Sequence, residues 1–302
     1  MNDVSSIDRP LAGIDHVRAQ FHNLHEFVAV ARAKLDRNVW DYLIGGAETE
    51  TTVRRNRLAL DSLAEVAACD VIALAVFSTD QVEDVVERAL LPAVAAATVV
   101  LCTSTCDPDR IAALGARLAG TSIRFLETPV SGTSEQVRQG DGVGLVGGDP
   151  NTAEDIAPVL DALFPRRFHI GKIGDGGRAK LAVNLILGLN RMALAEGLTF
   201  AERMGLNPRA FLAVAKGAAS YSQVMETKGE KMLARDFTPE GRAKQTLKDV
   251  HMMLDQGDRL GQELPMLKVH CDVLEACVRA GEAERDNSVI VEEIRRRRKP
   301  VP

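Results

Sequence analysis

Two glycine-containing stretches of the sequence could hold a charged ligand. Residues 142–147 read GVGLVG and match the spacing G-x-G-x-x-G, with which a loop holds a dinucleotide pyrophosphate. Such a loop must follow a strand and open a helix, because the phosphate lies at the helix N-terminus. This stretch instead follows the polar run SEQVRQGD and leads into the turn GGDP. We therefore expect residues 142–147 to form a strand of a sheet and not a cofactor loop.

The second stretch carries a lysine. Residues 171–180, GKIGDGGRAK, open a long helical pattern, and Lys180 falls in its first turns. The residues that follow, LAVNLILGL, are so apolar that the helix must be buried, and a buried lysine needs a function. Exposed N–H groups at a helix start, together with an amine, suit an anionic or carbonyl substrate in an interdomain crevice. A solvated lysine on the helix surface is the alternative.

Three zones of the sequence must position these residues. Residues 1–64 read as helical, and residues 173–302 read as helical with one long helix over 176–205. Residues 65–172 alternate strands and helices, which predicts a parallel sheet with helices on its faces. Strands are predicted at 70–76, 98–104, 123–130, 142–148 and 168–171, and later helices at 208–219, about 221–233, 239–259 and 264–280.

Composition excludes several classes of function. The chain has 302 residues, 46% of them hydrophobic and 26% charged, and its net charge of −5 gives no general attraction to nucleic acid or anionic membrane. The sequence has no signal-peptide pattern, so we expect a cytoplasmic protein without a membrane partner. Five cysteines without a C-x-x-C pair favour free thiols over a metal site. The basic run at 295–299 reads as a solvated tail, with a polyanion or targeting signal as the alternative.

Three ordered motifs carry a family resemblance. ETPVSGTSEQVRQGDGVGLVGGD (127–149), GDGGRAKLAVN (174–184) and TLKDVHMML (246–254) resemble motifs of the 3-hydroxyisobutyrate dehydrogenase family. This family of β-hydroxyacid dehydrogenases is related to 6-phosphogluconate dehydrogenase, and the resemblance runs from about Glu65 to Arg298. It implies an NAD(P)-dependent oxidoreductase that transfers hydride between a small hydroxyacid and nicotinamide, and that forms a homodimer or homotetramer. The implied fold class is α/β, with an incomplete Rossmann-like doubly wound sheet followed by an all-α domain built on a long interdomain helix.

The same resemblance implies roles for residues on the substrate side. Lys180 matches the catalytic lysine, which exchanges the hydroxyl proton as a general acid and base. Ser131, Gly132 and Thr133 fall on the loop that binds the substrate carboxylate, although Thr133 stands where glycine is usual. Asn184 matches a residue that hydrogen-bonds the reacting group, and its spacing places it on the same helix face as Lys180. Filling a buried polar gap is the alternative for Asn184.

Four further residues are implied on the cofactor side. Thr105 falls on the nicotinamide-side threonine, and Lys248 falls on a position near the cofactor and substrate. Val76 and Phe77 occupy a pair at a strand end that usually reads Leu-Pro. A solvated charge beside Asp249 is the alternative for Lys248. No metal is implied, and the choice between NAD and NADP is not readable because the cofactor fingerprint is absent from residues 1–64.

The N-terminal segment resembles another family. Residues 22–63, with DYxxGGAExExTxRRNR as their core, resemble the N-terminal segment of FMN-dependent α-hydroxyacid dehydrogenases and oxidases. There Tyr42 would match a tyrosine that binds the substrate carboxylate, but the flavin-carrying barrel has no counterpart downstream, so we interpret Tyr42 as a packing residue. The sequence thus predicts a chimera, in which a helical head over 1–64 replaces the first β-α-β unit. Residues 65–172 form the rest of the NAD(P)-binding domain, and residues 173–302 form a substrate and dimerisation domain.

Three functions remain open from the sequence. The first is an NAD(P)-dependent 3-hydroxyacid dehydrogenase that uses Lys180. The second is a catalytically impaired chimera, which keeps the acid pocket and the oligomerisation domain but lacks the pyrophosphate loop. The third, an FMN-dependent α-hydroxyacid oxidase, rests on residues 22–63 alone. A bound flavin would be visible in the absorption spectrum of the purified protein.

Overall fold

The computed structural model describes residue 66 and residues 69–133, 136–137 and 139–299. The chain divides into two units, Met1–Ala68 and Cys69–Pro302, and every helix and strand described below belongs to the second unit. The interpretations of residues 22–63 and of Tyr42 lie outside the described residues.

A six-stranded sheet occupies the first part of the second unit. Its strands are β1 (Val71–Leu74), β2 (Thr98–Cys102), β3 (Ile123–Glu127), β4 (Val130–Ser131), β5 (Val143–Gly147) and β6 (Arg166–Gly171). The order in the sheet is β1-β2-β3-β5-β4, and β6 pairs with β5. The stretch GVGLVG therefore supplies a strand, as the sequence predicted.

The sheet is mixed, whereas the sequence analysis predicted a parallel one. Strands β1, β2 and β3 are parallel, and β6 is parallel to β5, but β5 runs antiparallel to β3 and β4. The prediction was wrong at β5 because this strand pairs directly with β4, the strand before it in the chain, and such neighbours pair antiparallel when a short connection joins them. The run predicted as one strand over 123–130 is accordingly divided between β3 and β4.

Short helices connect the strands and cover the sheet. They are α1 (Thr79–Asp84), which continues as a π-helical segment over Val85–Leu90, then α2 (Pro108–Leu118), α3 (Pro150–Asp155) and α4 (Ala157–Leu163). A capping box between Ser78 and Gln81 starts α1. Every residue of β2 is buried, and Leu101 and Leu126 pack with Phe164 in the core beneath the sheet. Strand β2 is thus covered on both faces, as its apolar run predicted, whereas β1 is covered on one face only, because its burial alternates along the strand.

The long helix α5 (Asp175–Arg203) follows β6. It starts after Gly174, whose φ of 99° suits glycine, and it ends just before Gly205. Among the described residues it is the one helix whose length and mean hydropathy would allow it to cross a membrane. However, α5 packs along β5 and β6 and against the helices that follow. The expectation that this helix is buried holds only for part of its surface, since Ile186 and Phe200 are 61% and 65% exposed.

The remaining helices surround α5. They are α6 (Pro208–Gly217), α7 (Val224–Ala234), α8 (Ala243–Leu260), α9 (Pro265–Arg279), a 3₁₀ turn over Asn287–Val289 and α10 (Ile290–Arg296). Leu198 of α5 lies at the centre of their shared apolar core, with Leu212 and Leu274. Each helix lies within a few residues of its predicted position. A long central helix carries the residues of α5 past both the sheet and the helical core.

Candidate active site

A cleft of ≈ 320 Å³ lies where the sheet meets α5 and the helices around it. The predicted residues that line it are Thr105, Ser131, Gly132, Thr133, Lys180 and Asn184. Thr105 follows β2, the Ser131 loop follows β4, and Lys180 and Asn184 stand on α5. Residues far apart in the sequence therefore meet at one site, next to strand ends where ligands bind in open α/β sheets.

Lys180 is the buried amine at this site. Only 6% of the residue is exposed, and burial lowers the pKa of the ammonium to about 8. The Asp249 carboxylate opposes this shift and the Lys248 charge adds to it. The solvated-surface alternative for Lys180 is wrong. An amine with a pKa near neutrality can give up and take back a proton under ordinary conditions.

Asn184 and Asp249 hold the polar side of the cleft. The Asn184 side-chain amide donates to Asp249 Oδ2 at 3.1 Å, and Lys248 Nζ lies 3.1 Å from Asp249 Oδ1. Burial raises the pKa of Asp249, while the Lys248 charge and the hydrogen bonds from Lys248 and Asn184 work against that rise. Asp249 thus places a carboxylate close to Lys180. It also fixes the side chain of Asn184, which stands one helical turn after Lys180 on α5.

Lys248 joins the helical part to the sheet without lining the cleft itself. Its Nζ donates to the Thr105 carbonyl at 3.0 Å and lies 5.3 Å from the centroid of the Phe77 ring. The side chain is 22% exposed, so the solvated-charge alternative does not describe it. A cation over an aromatic face is a favourable contact. Lys248 therefore ties the ends of β1 and β2 to α8.

Val76 and Phe77 follow β1 and are not among the residues that line the cleft. The Val76 N–H donates to Ser104 Oγ at 2.8 Å, and Ser104 Oγ donates to the Val76 carbonyl at 2.8 Å. These bonds hold the segments after β1 and β2 together. Phe77 is 47% exposed, which leaves one ring face for Lys248 and further ring surface open to solvent.

The loop after β4 has the backbone that an acid-binding turn needs. Gly132 has a φ of 146°, which favours glycine, and a Cβ there would lie 3.4 Å from Gly142 Cα. Thr133 N–H donates to Gln136 Oε1 at 2.8 Å, and Gln136 N–H donates to Thr133 Oγ1 at 3.2 Å. Thr133 does not have a positive φ, so the threonine is compatible with the loop, and its hydroxyl closes the turn.

Sequence reasoning missed Glu127. This buried carboxyl at the end of β3 accepts the N–H groups of Gly174, Gly176 and Gly177 at the start of α5. It thereby satisfies donors that the first turn of a helix leaves free. Burial raises the pKa of Glu127 to about 7, against the three N–H donors, which favour the carboxylate. An acid directly after the apolar pair Phe125 and Leu126, at the end of the strand IRFLE, was the available signal.

Glycines make room for this contact. A Cβ at Gly147 would lie 2.5 Å from Glu127 Oε1, and one at Gly176 would lie 2.5 Å from the Leu145 carbonyl oxygen. The last glycine of GVGLVG therefore serves the packing of β5 against the start of α5. Glu127 thus fixes the N-terminal end of α5, the helix that carries Lys180.

The site can move a proton and hold an acid, and its sheet side can receive a flat ring. Phe77 and Thr105 follow the ends of β1 and β2, and both contact Lys248. Residues 143–147 cannot cradle a pyrophosphate, since Gly144, Leu145, Val146 and Gly147 are buried within the sheet. Among the described residues no other stretch has the G-x-G-x-x-G spacing. The described residues thus fit the nicotinamide end of the cofactor and not its pyrophosphate.

Two family models match consecutive parts of the chain. The NAD-binding domain of 6-phosphogluconate dehydrogenase matches residues 28–171, and the NAD-binding domain of NADP-dependent 3-hydroxyisobutyrate dehydrogenase matches residues 174–294. The first match begins inside the segment that resembles FMN-dependent enzymes, and nothing in these matches supports that second resemblance.

Individual proteins agree with the family models. Glyoxylate/succinic semialdehyde reductase 1 of Arabidopsis thaliana is 28% identical over 192 residues, which are 64% of this chain and 66% of that protein. The chain thus matches just under two thirds of that relative's length. The 2-hydroxy-3-oxopropionate reductase of Escherichia coli is 28% identical over 227 residues, 74% of this chain and 78% of the relative. A crystal structure of 3-hydroxyisobutyrate dehydrogenase from Salmonella typhimurium shares the fold, with a TM-score of 0.72, 22% identity and coverage of 80% and 87% of the two chains.

Proposed function

We propose that this chain is a member of the family of 3-hydroxyisobutyrate and other β-hydroxyacid dehydrogenases, and that it transfers hydride between a small hydroxyacid and the nicotinamide of NAD or NADP. One observation carries this proposal. The amine of Lys180 is buried in the cleft with a pKa of about 8, one helical turn from Asn184 and across from the Ser131 loop. Alcohol oxidation needs a base at the hydroxyl, and carbonyl reduction needs an acid at the same place.

Lys180 is the proposed general acid and base. In the oxidation direction neutral Nζ accepts the hydroxyl proton, and in the reduction direction the ammonium returns it to the carbonyl oxygen. Asn184 orients the reacting oxygen, because its amide is held by Asp249 and stands on the same face of α5. Asp249 is therefore proposed as a positioning residue, which holds the side chain of Asn184.

The loop of Ser131, Gly132 and Thr133 is proposed to bind the substrate carboxylate. It lines the cleft opposite α5, and the positive φ of Gly132 turns the backbone there sharply. The Ser131 hydroxyl supplies a donor for an acid, while the Thr133 N–H already donates to Gln136 Oε1 and holds the shape of the loop. The loop would hold the substrate carboxylate, and Lys180 would contact the group that reacts. The substrate would then be fixed at two points, and such positioning contributes to the rate.

On the cofactor side Thr105, Phe77, Val76 and Lys248 are the proposed neighbours of the nicotinamide, which supplies or removes the hydride when it is bound. Lys248 holds Thr105 and Phe77 in place through the carbonyl and ring contacts given above. These residues shape the sheet side of the cleft.

The impaired chimera remains the second candidate, favoured by the buried position of the only G-x-G-x-x-G stretch in the sequence. The described sheet agrees with it, because β1 pairs with β2 alone among the described strands. A pyrophosphate loop contributes many phosphate contacts, so its loss would weaken the binding of nicotinamide nucleotides strongly.

One experiment separates the two candidates. Purified protein is titrated with NADH and NADPH, and then assayed for nicotinamide oxidation with a panel of small semialdehydes. The dehydrogenase gives micromolar binding of one nucleotide and turnover of at least one substrate. No binding at millimolar nucleotide, from protein whose folding is verified by circular dichroism, contradicts the dehydrogenase and leaves the impaired chimera.

We propose further that the protein forms a cytoplasmic homodimer or homotetramer through α5 and its neighbours. Ile186 and Phe200 on α5 are 61% and 65% exposed, and Val214 on α6 is 66% exposed. Exposed apolar side chains of this size mark association surfaces when they form a patch. We expect light scattering to give a multiple of the chain mass, and the double variant Ile186→Asp/Phe200→Asp to give a monomer. A monomeric wild type at micromolar concentration contradicts this proposal.

A further inference from the structure

Two buried side chains line the cleft beyond the residues used above. Arg191 and His270 are 5% and 1% exposed, and both border the cleft. Within the described part of the chain, Nε and Nη1 of Arg191 have no hydrogen-bond partner, and neither ring nitrogen of His270 has one. Buried polar groups are nearly always paired, so four unpaired atoms in one place point to a ligand that pairs them.

No carboxylate in the described part of the chain forms an ion pair with Arg191. Burial lowers its pKa to about 10, so the guanidinium remains a cation at neutral pH. The acid whose charge acts on it is Asp286. That carboxylate already accepts from Lys228 Nζ at 3.0 Å, from the Glu240 N–H at 3.0 Å and from the Ser288 hydroxyl at 2.7 Å. A buried cation without a partner is strongly unfavourable, unless a ligand completes the site.

The position of Arg191 on α5 relates it to the reacting end of the cleft. Lys180, Asn184, Leu187 and Arg191 all line the cleft. Their spacing of four, three and four residues places them on one face of the helix. Eleven residues separate Lys180 from Arg191, which is about 16 Å along the helix axis. The cleft therefore follows α5 for about three turns, with one cation at each end.

His270 lies next to Arg191 in a space that a glycine provides. A Cβ at Gly188 would lie 2.6 Å from His270 Cε1 and 3.0 Å from Nδ1, so only glycine admits the ring. Burial and then the Arg191 charge lower the pKa of His270 to about 4, so the imidazole is neutral at ordinary pH. A neutral imidazole can donate one hydrogen bond and accept another. The pair thus offers several donors to a single acceptor group.

We propose that Arg191 and His270 form a second acid-binding subsite, so that the substrate is an extended hydroxyacid or oxoacid with an anionic group at each end. This inference rests on the proposed function, because it takes the Ser131 loop as the site of the first carboxylate. A guanidinium binds a carboxylate or a phosphate through parallel hydrogen bonds, and either group would pair the free Nε and Nη1 atoms. A three-carbon hydroxyacid bound at Lys180 would be too short to reach Arg191.

The test measures binding and does not depend on turnover. Wild-type protein is titrated by calorimetry with straight-chain α,ω-dicarboxylates of increasing length, and with monocarboxylates of the same lengths. We expect one length of dicarboxylate to bind about ten- to hundredfold more tightly than its monocarboxylate, which is the effect of one charge-assisted pair. The matching ω-phosphonocarboxylates show whether the distal group is a carboxylate or a phosphate. Equal binding of diacids and monoacids at every length overturns the proposal.

Two variants complete the test. Arg191→Met keeps the length of the side chain and removes the charge, so it should abolish the preference for diacids while its melting temperature in the absence of ligand is unchanged or higher. A lower melting temperature with an intact preference would mean that Arg191 is structural, and would overturn the proposal. Arg191→Gln serves in the same way if the Met variant does not fold. Lys180→Met should retain the preference for diacids, because the second subsite does not depend on the proton carrier. A wild-type protein that prefers diacids but transfers no hydride would contradict the proposed function and leave the second subsite standing.

Discussion

Replacing Lys180 with methionine is expected to lower kcat/KM about 10²- to 10⁴-fold, the usual contribution of a positioned acid or base. The methionine side chain fills a similar volume, so the cleft should keep its shape and KM should change little. Steady-state kinetics in both directions measure the effect. Lys244→Met is the matched control, because this lysine of α8 pairs with Glu284 away from the cleft and its loss should leave the rate unchanged. If Lys180→Met retains full activity, the amine is not the proton carrier.

The pH dependence gives a second reading of the same residue. Because the pKa of Lys180 is about 8, alcohol oxidation should increase with pH and level off above that value, where the amine is neutral. Carbonyl reduction should decrease over the same range, since it needs the ammonium. In Asp249→Asn the carboxylate that favours the ammonium is lost, so the pKa of Lys180 and both profiles should move to lower pH. Profiles that do not move would exclude Asp249 as the source of that influence.

The same shift has a consequence for stability. A lysine whose pKa is lowered by folding decreases the free energy of unfolding at every pH below its pKa in the folded state. For Lys180 this destabilisation becomes smaller as the pH rises from about 8 toward 10.5. Lys180→Met removes the destabilisation, so the variant should be more stable than the wild type at neutral pH, by up to about 3 kcal/mol. Urea unfolding at several pH values measures this, and the two proteins should converge above the ordinary lysine pKa.

Replacing Glu127 with alanine is expected to lower the free energy of unfolding by about 3–5 kcal/mol. The change leaves the N–H groups of Gly174, Gly176 and Gly177 without their acceptor and opens a cavity between β3 and α5. Because the start of α5 also positions Lys180, kcat should decrease as well. Urea unfolding and steady-state kinetics measure the two effects.

Glu127→Gln is the matched control, because its volume is the same and its amide oxygen can still accept from the Gly174 and Gly176 N–H groups, whereas its NH2 group cannot accept from Gly177. The raised pKa of Glu127, about 7, means that the folded wild type loses stability as pH rises from 4.5 through 7. The glutamine variant lacks this carboxyl, so it should be less sensitive to pH in that range. A glutamine variant as unstable as the alanine variant would show that α5 is held only when both carboxylate oxygens accept, since the glutamine loses the acceptor for the Gly177 N–H.

Much of the fold was predictable from local patterns. The β-branched apolar runs indicated β1 and β2 near their observed bounds, and the apolar periodicity after Gly174 indicated α5. GVGLVG was recognisable as a strand because a turn, and not a helix, follows it. Hydrophobic periodicity and turn residues are local properties of the chain, so the sequence records them directly. The direction of β5 was not predictable in this way, since it depends on how the chain returns after β4.

The candidate site shows the same division. Lys180 was identifiable from the sequence, because an amine at the start of an apolar helix is costly to bury unless it has a function. The sequence by itself thus determined the order of elements and the residue types that could move a proton. Only the tertiary structure decided that Glu127 caps α5, that Lys248 binds the Thr105 carbonyl, and that Arg191 and His270 share the cleft with Lys180. These contacts join residues far apart in the chain, and their energies come from burial and pairing, which no local pattern records.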